Sequence, residues 1–193
     1  MTLADRPLSG LTVIKVGGGL LRMAGALESV CAAVGRVAQE QSIVVIPGGG
    51  PFAEAVRQFE REVELSPSTS HWMAHLAMDQ YAEVLAERIV GGVVVAEPGG
   101  ISAALNSRLI PVVAPSRWMR AADVLPHSWE VTSDSIAAFI AGALDATRLI
   151  LIKPVSNTAE ALDPYFARAL PAGLLYTVIG CDQLNHLCNG LPG

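Results

Sequence analysis

Only two lysines stand among eleven arginines in this chain of 193 residues. Each sits at or just past an apolar, strand-like run: Lys15 in Thr12-Val13-Ile14-Lys15-Val16-Gly17, and Lys153 in Leu149-Ile150-Leu151-Ile152-Lys153-Pro154. Lysines that merely solvate a surface lie on polar helix faces, whereas a compact ammonium at a strand end suits phosphate binding. Gly17-Gly18-Gly19 follows the first lysine, and Gly48-Gly49-Gly50 follows a second apolar run, Ile43-Val44-Val45-Ile46. Such turns let backbone N–H groups approach an anion without side-chain obstruction, and a helix N-terminus adds its dipole. Asp134, in Thr132-Ser133-Asp134-Ser135, opens a helical stretch as a cap or as an acid that orients cations. These residue types suit phosphoryl transfer, which asks for positioning and for positive charge to meet developing negative oxygens.

A second constellation is His71, His75, Asp79, Glu83 and Glu87, spaced four apart on one helix face. A His-x3-His-x3-Asp row has spacing for a divalent metal. The preferred reading is a polar stripe facing solvent or substrate, as amphipathic helices carry. His75 and Asp79 then turn toward an acceptor, with Asp79 pairing with a substrate amine, and no metal site is assigned. Other signatures are absent: no glycine precedes a lysine as a P-loop requires, and neither Gly-x-Gly-x-x-Gly nor Gly-x-Ser-x-Gly occurs.

The elements that would carry these residues alternate. Leu11 to Val16, Ile43 to Ile46, Val93 to Ala96, Ile110 to Ala114, Leu149 to Ile152 and Leu174 to Ile179 read as strands. Helical periodicity follows Leu27, begins near Phe52, runs from about His71 to Ile89, touches Ile101 to Leu105, and resumes at Ile136. Ser116 to Glu130 reads mostly as loop. Continuous apolar strands between helices predict an α/β chain, a three-layer αβα sandwich with a mainly parallel central sheet. Ligands of such sheets bind at the C-terminal strand ends, where Lys15, both glycine turns and Lys153 fall.

Composition narrows the function classes. The chain is 51% hydrophobic and 16% charged with a net charge of −5, which argues for a large core and against nucleic-acid binding. No run of 18 apolar residues predicts a membrane span, and Met1 to Arg6 lacks a signal-peptide core. A cytoplasmic protein with free Cys31, Cys181 and Cys188 is expected.

Taken in order, Lys15-Val16-Gly17-Gly18-Gly19, Gly48-Gly49-Gly50, Thr132-Ser133-Asp134-Ser135-Ile136-Ala137-Ala138 and Lys153 resemble the amino acid kinase superfamily over nearly the whole chain. His75-x-x-Met78-Asp79-Gln80-Tyr81 and Trp129-Glu130-x-Thr132 are most similar to a short branch serving methanofuran-type cofactor biosynthesis, whose members phosphorylate an aminomethyl-furan methyl phosphate with ATP. The resemblance implies an ATP- and Mg2+-dependent kinase acting on a small-molecule, phosphate-bearing acceptor, and a homo-oligomer. It implies that Lys15, Asp134 and Lys153 are catalytic, that Gly17, Gly18, Gly19, Ser133 and Ser135 join Lys153 at nucleotide and phosphate, and that Gly48, Gly49 and Gly50 hold the acceptor, toward which the helix stripe, unexplained by the superfamily, also turns His75 and Asp79. One domain is expected, residues 1–148 for the acceptor and 149–193 for the nucleotide. Three departures stand out: Gly19 replaces a family serine, Lys153-Pro154-Val155-Ser156-Asn157 replaces an Asp-x-Asp-Gly-Val loop, and Leu191-Pro192-Gly193 ends an abbreviated nucleotide lobe. The competing readings are a kinase for an amino-acid carboxylate and a non-catalytic anion-binding or storage protein on the same fold.

Overall fold

The computed structural model describes residues 10–154 and 162–188. Six strands form one sheet among them: β1 (Thr12–Val16), β2 (Ile43–Pro47), β3 (Gly92–Val95), β4 (Ile110–Val113), β5 (Arg148–Lys153) and β6 (Leu175–Gly180). Their order is β3-β4-β2-β1-β5-β6, and every pair is parallel. The connections carry α1 (Ala26–Val37), α2 (Gly50–Val63), α3 (Pro67–Arg88), α4 (Pro98–Asn106), α5 (Ser116–Ala122), α6 (Ser133–Ala143) and α7 (Phe166–Ala169), and α8 (Asn185–Cys188) follows β6.

The strands are apolar throughout because both sheet faces are covered. Ile14, Val16, Val45 and Ile150 face α1 and the Tyr81 and Leu85 side of α3. Val13, Val44, Leu149 and Leu151 face the opposite way, against Ile136 and Ile140 of α6. This is the expected three-layer α/β arrangement. Side chains alternate along a strand, so Lys15 continues the row of Leu11 and Val13, and Lys153 continues the row of Leu149 and Leu151. Both lysines therefore project toward α6. Lys15 pairs in register with Leu151, so Lys153 emerges two residues further along the adjacent strand.

The two glycine turns interlock at the strand ends. A Cβ on Gly18 would lie 2.2 Å from Gly50 N, and one on Gly48 would lie 2.6 Å from Gly18 N. Backbone packs on backbone here, which glycine alone permits.

Two elements depart from the sequence reading. Ser116 to Ala122 is helix rather than loop, because Asp79 of α3 accepts from Ser116 N at 3.0 Å and from Ser116 Oγ. That cap comes from 37 residues away and leaves no local signature. The Phe52, Ala55, Val56 and Phe59 face of α2 is helical as expected, but only Val56 is buried. α2 packs against α3 instead of the sheet, and Phe59 stays 46% exposed.

Two glycine substitutions separate the roles of crowding and freedom. Gly18→Ala should cost about 2 kcal/mol or more in a denaturant melt, because the turns must part. Gly35→Ala, in α1 with nothing within 4 Å of its Cβ position, should instead gain up to about 1 kcal/mol.

Candidate functional site

α6 delivers its first turn to the row where the two lysines emerge. Asp134 is 2% exposed, with Lys15 Nζ 2.9 Å from Oδ1 and Lys153 Nζ 2.6 Å from Oδ2. Burial alone would push the Asp134 carboxyl up, but the Lys15 and Lys153 ammonium groups outweigh it and hold the group below the ordinary carboxylate value. Burial, reinforced by the neighbouring Lys15 charge, draws Lys153 downward, with Asp134 opposing.

The capping role that Asp134 offered in the sequence belongs to another residue. Asp163 accepts from Thr132 N at 2.9 Å, Thr132 Oγ1 at 2.9 Å, Ser135 N at 3.0 Å and Ser135 Oγ. A carboxylate at a helix N-terminus satisfies orphan N–H donors and complements the dipole. With the cap supplied from Asp163, Asp134 is left to the lysines. Sequence inspection missed Asp163, because 28 residues separate it from Ser135.

Beside this bracket opens a cavity of ≈ 1090 Å³ between the glycine turns, α2, α3 and the segment before α6. Gly18, Gly19, Gly49 and Gly50 line it, with Ser133 from α6. Gly17 and Gly48 do not: their amides donate to Ile152 O at 2.9 Å and Val16 O at 2.8 Å, so the strands use them. Ser135 is fully buried with its hydroxyl on Asp163, which removes it from any phosphate. Lys15, Asp134 and Lys153 lie outside the cavity's lining. Gly19 has a local cause, since a Cβ there would meet Pro154 Cγ at 2.9 Å; the family serine has no room. Val155 to Asn157, and the chain end at Leu191 to Gly193, lie outside the described residues.

The cavity wall is charged and aromatic. Arg57 sits 4.5 Å from the Trp129 ring centroid, and Trp129 Nε1 donates to Glu60 Oε2 at 2.6 Å. Arg22 lines the same space. His75 reaches it from α3, but Asp79 does not, since Ser116 takes both carboxylate oxygens. The expected pairing of Asp79 with a substrate amine thus has no geometric basis.

The stripe, read as facing solvent or substrate, divides: Glu83 and Glu87 are exposed, whereas His71 and His75 are buried at the cavity wall. The His71 ring stacks on His127 at 4.2 Å and lies 4.4 Å from His75. Burial, with help from His75 and His127, pushes His71 down to about 4. Among the described residues, no group of three His, Cys, Asp or Glu is placed to hold a metal, and no helix is long and apolar enough to cross a membrane.

Comparison with known proteins follows the same lines. The sequence profile of the amino acid kinase family matches residues 10–157. A curated relative, the (5-(aminomethyl)furan-3-yl)methyl phosphate kinase of Methanocaldococcus jannaschii, is 30% identical over 178 residues, which cover 91% of this chain and 76% of that protein. The fold matches uridylate kinase from Archaeoglobus fulgidus with a TM-score of 0.67 at 15% identity, covering 93% of this chain and 96% of that one. UMP kinase from Ureaplasma parvum matches with a TM-score of 0.65 at 13% identity, covering 91% and 92%.

The bracket has a pH signature. Asp134→Asn leaves two ammonium groups against a neutral amide and should cost on the order of 3 kcal/mol at neutral pH. A carboxyl held below its ordinary value of 3.8 stabilises the fold fully above that value. The contribution is lost as pH falls through the depressed folded value. The stability gap between wild type and Asp134→Asn should therefore narrow in acid, as measured by denaturant melts at stepped pH. A gap that stays constant would contradict the ion-pair account.

Proposed function

Because this chain belongs to the amino acid kinase family, we propose that this phosphotransferase moves the terminal phosphoryl group of ATP onto a phosphate-bearing acceptor. The observation that carries the reading is Asp134 held between Lys15 and Lys153 at the ends of β1 and β5. An acceptor phosphate oxygen attacks the γ-phosphorus while the bond to the bridging oxygen of ATP breaks, and ADP departs with the electron pair. The acceptor is already ionised, so the step needs no strong base. Asp134 accordingly acts as a carboxylate that fixes two ammonium groups. Lys15 and Lys153 meet the charge developing on the phosphoryl oxygens, in a site preorganised before substrate arrives. The amides of Gly18 and Gly19 line the transferred group, and those of Gly49 and Gly50 line the acceptor.

Magnesium fits this site through the nucleotide. Both Asp134 oxygens face ammonium groups and Asp163 is committed to the cap, so the ion would be held largely by ATP phosphates, as Mg2+ commonly is. When bound there it neutralises phosphate charge.

The acceptor we assign is an aminomethyl-furan methyl phosphate, the compound named in the relative. Arg22 and Arg57 on the cavity wall offer cations to its phosphate. The acceptor part spans residues 1–148 and the nucleotide part 149–193. A cytoplasmic homo-oligomer completes the proposal, supported by exposed Phe59, Val63 and Leu76 on α2 and α3; sedimentation velocity measures its state.

Calorimetric titration with ATP and ADP, with and without magnesium, tests the donor side: binding below millimolar concentrations is expected, and none at millimolar levels contradicts the kinase reading. Lys15→Met should lower turnover by about 100-fold or more while nucleotide still binds. A Lys15→Met protein with full activity would remove Lys15 from the mechanism.

A further inference from the structure

Four ring side chains line the large cavity: His71, His75, His127 and Trp129. A flat conjugated ligand stacks on a ring whose face is open and whose position is fixed. His75 is 1% exposed and His71 is 8% exposed, so neither offers a face. Trp129 carries the Arg57 guanidinium over its ring and is tied through its indole nitrogen to Glu60. His127 remains, with 26% of its side chain accessible.

The fold fixes the His127 ring on one side and leaves the other clear. Asp123 ends α5 in a left-handed backbone conformation, four residues before His127. Its carboxylate accepts from His127 Nε2 at 2.8 Å, which pins an edge of the ring. His71 stacks on one face, with centroids 4.2 Å apart and planes 21° from parallel. Burial pushes His71 down to about 4, so its ring is neutral at ordinary pH and no like charge opposes the stack. The Trp72 centroid lies 4.7 Å from His71 and 5.0 Å from His127. Were Trp72 over the far face of His127, it would stand well beyond that distance from His71. Trp72 therefore flanks the stack, and no ring among the described residues covers the far face.

We infer that the far face of His127 is the platform on which a planar heteroaromatic ring of the acceptor stacks. This rests on the reading of the cavity as the acceptor site and goes beyond it by assigning the residue that selects a flat ring. One face and one edge of His127 are taken by protein, and the residue borders the cavity, so a ligand there meets the open face. His71 behind it and Asp123 at its edge hold the ring before the ligand arrives, so little side-chain freedom is lost on binding. A furan is flat and conjugated and gains an offset stack on the imidazole. A saturated ring of the same size is puckered and gains only partial contact.

The test is calorimetry on the whole protein with aminomethyl-furan methyl phosphate and its tetrahydrofuran counterpart, which keeps both charged groups and loses the flat ring. Wild type should bind the furan roughly three- to tenfold more tightly, the scale of one aromatic stack. His127→Leu should bind the two compounds about equally, whereas His127→Phe, which keeps a flat face without the bond to Asp123, should retain most of the preference. Should His127→Leu fold poorly, proton NMR of wild type decides: nuclear Overhauser contacts between the furan and the His127 ring are expected, and their absence overturns the platform. Equal affinity of wild type for both compounds, or a preference that survives in His127→Leu, also overturns it and leaves the kinase reading standing. Failure of both compounds to bind a protein that binds ATP overturns the acceptor assignment, and the platform with it.

Discussion

One buried carboxylate reached by two ammonium groups is the constraint on which the rest of this structure depends. Asp134 and its two lysines carry net positive charge at a place removed from bulk water. Burying unlike charges is tolerable when they pair closely. The lowered affinity of Lys153 for its proton comes first from burial and next from the Lys15 charge, with Asp134 and Asp163 opposing. Under the proposed function, a phosphoryl group in transfer adds negative charge beside the two ammonium groups.

Several features converge to hold that bracket in place. Strand alternation sends both lysines to the α6 face, and the β1–β5 register sets their separation along the strands. Asp163 satisfies the start of α6, which frees Asp134 from capping. The glycine turns approach within contact of each other because neither carries a Cβ. The same closeness brings Gly18 and Gly50 to one cavity wall. Side chains on rigid elements hold their geometry without reorganisation during a reaction, and β1, β5 and α6, which carry Lys15, Lys153 and Asp134, are such elements.

The part of this site legible in the sequence is the part specified locally. Lys15 and Lys153 were conspicuous because an ammonium at the end of an apolar strand contradicts the usual pattern. Gly17 to Gly19 and Gly48 to Gly50 read as turns because no other residue type tolerates them. What stayed hidden depends on partners distant in the chain. Asp163 caps α6 across 28 residues, and Asp79 caps α5 across 37. The His71 and His75 periodicity suggested a polar face toward solvent or substrate; in the fold these rings pack with His127 and Trp72 at the cavity wall, out of solvent. Gly17, Gly48 and Ser135 carry residue types suited to phosphate, yet tertiary hydrogen bonds have already engaged them.

The most direct measurement is phosphorus NMR of the protein mixed with ATP, magnesium and aminomethyl-furan methyl phosphate. The expected result is stoichiometric formation of ADP together with a new diphosphate on the furan compound, absent when Asp134→Asn replaces the wild type. Unchanged ATP and acceptor signals, or release of inorganic phosphate without a diphosphate product, would contradict phosphoryl transfer to that acceptor from the lysine–aspartate bracket.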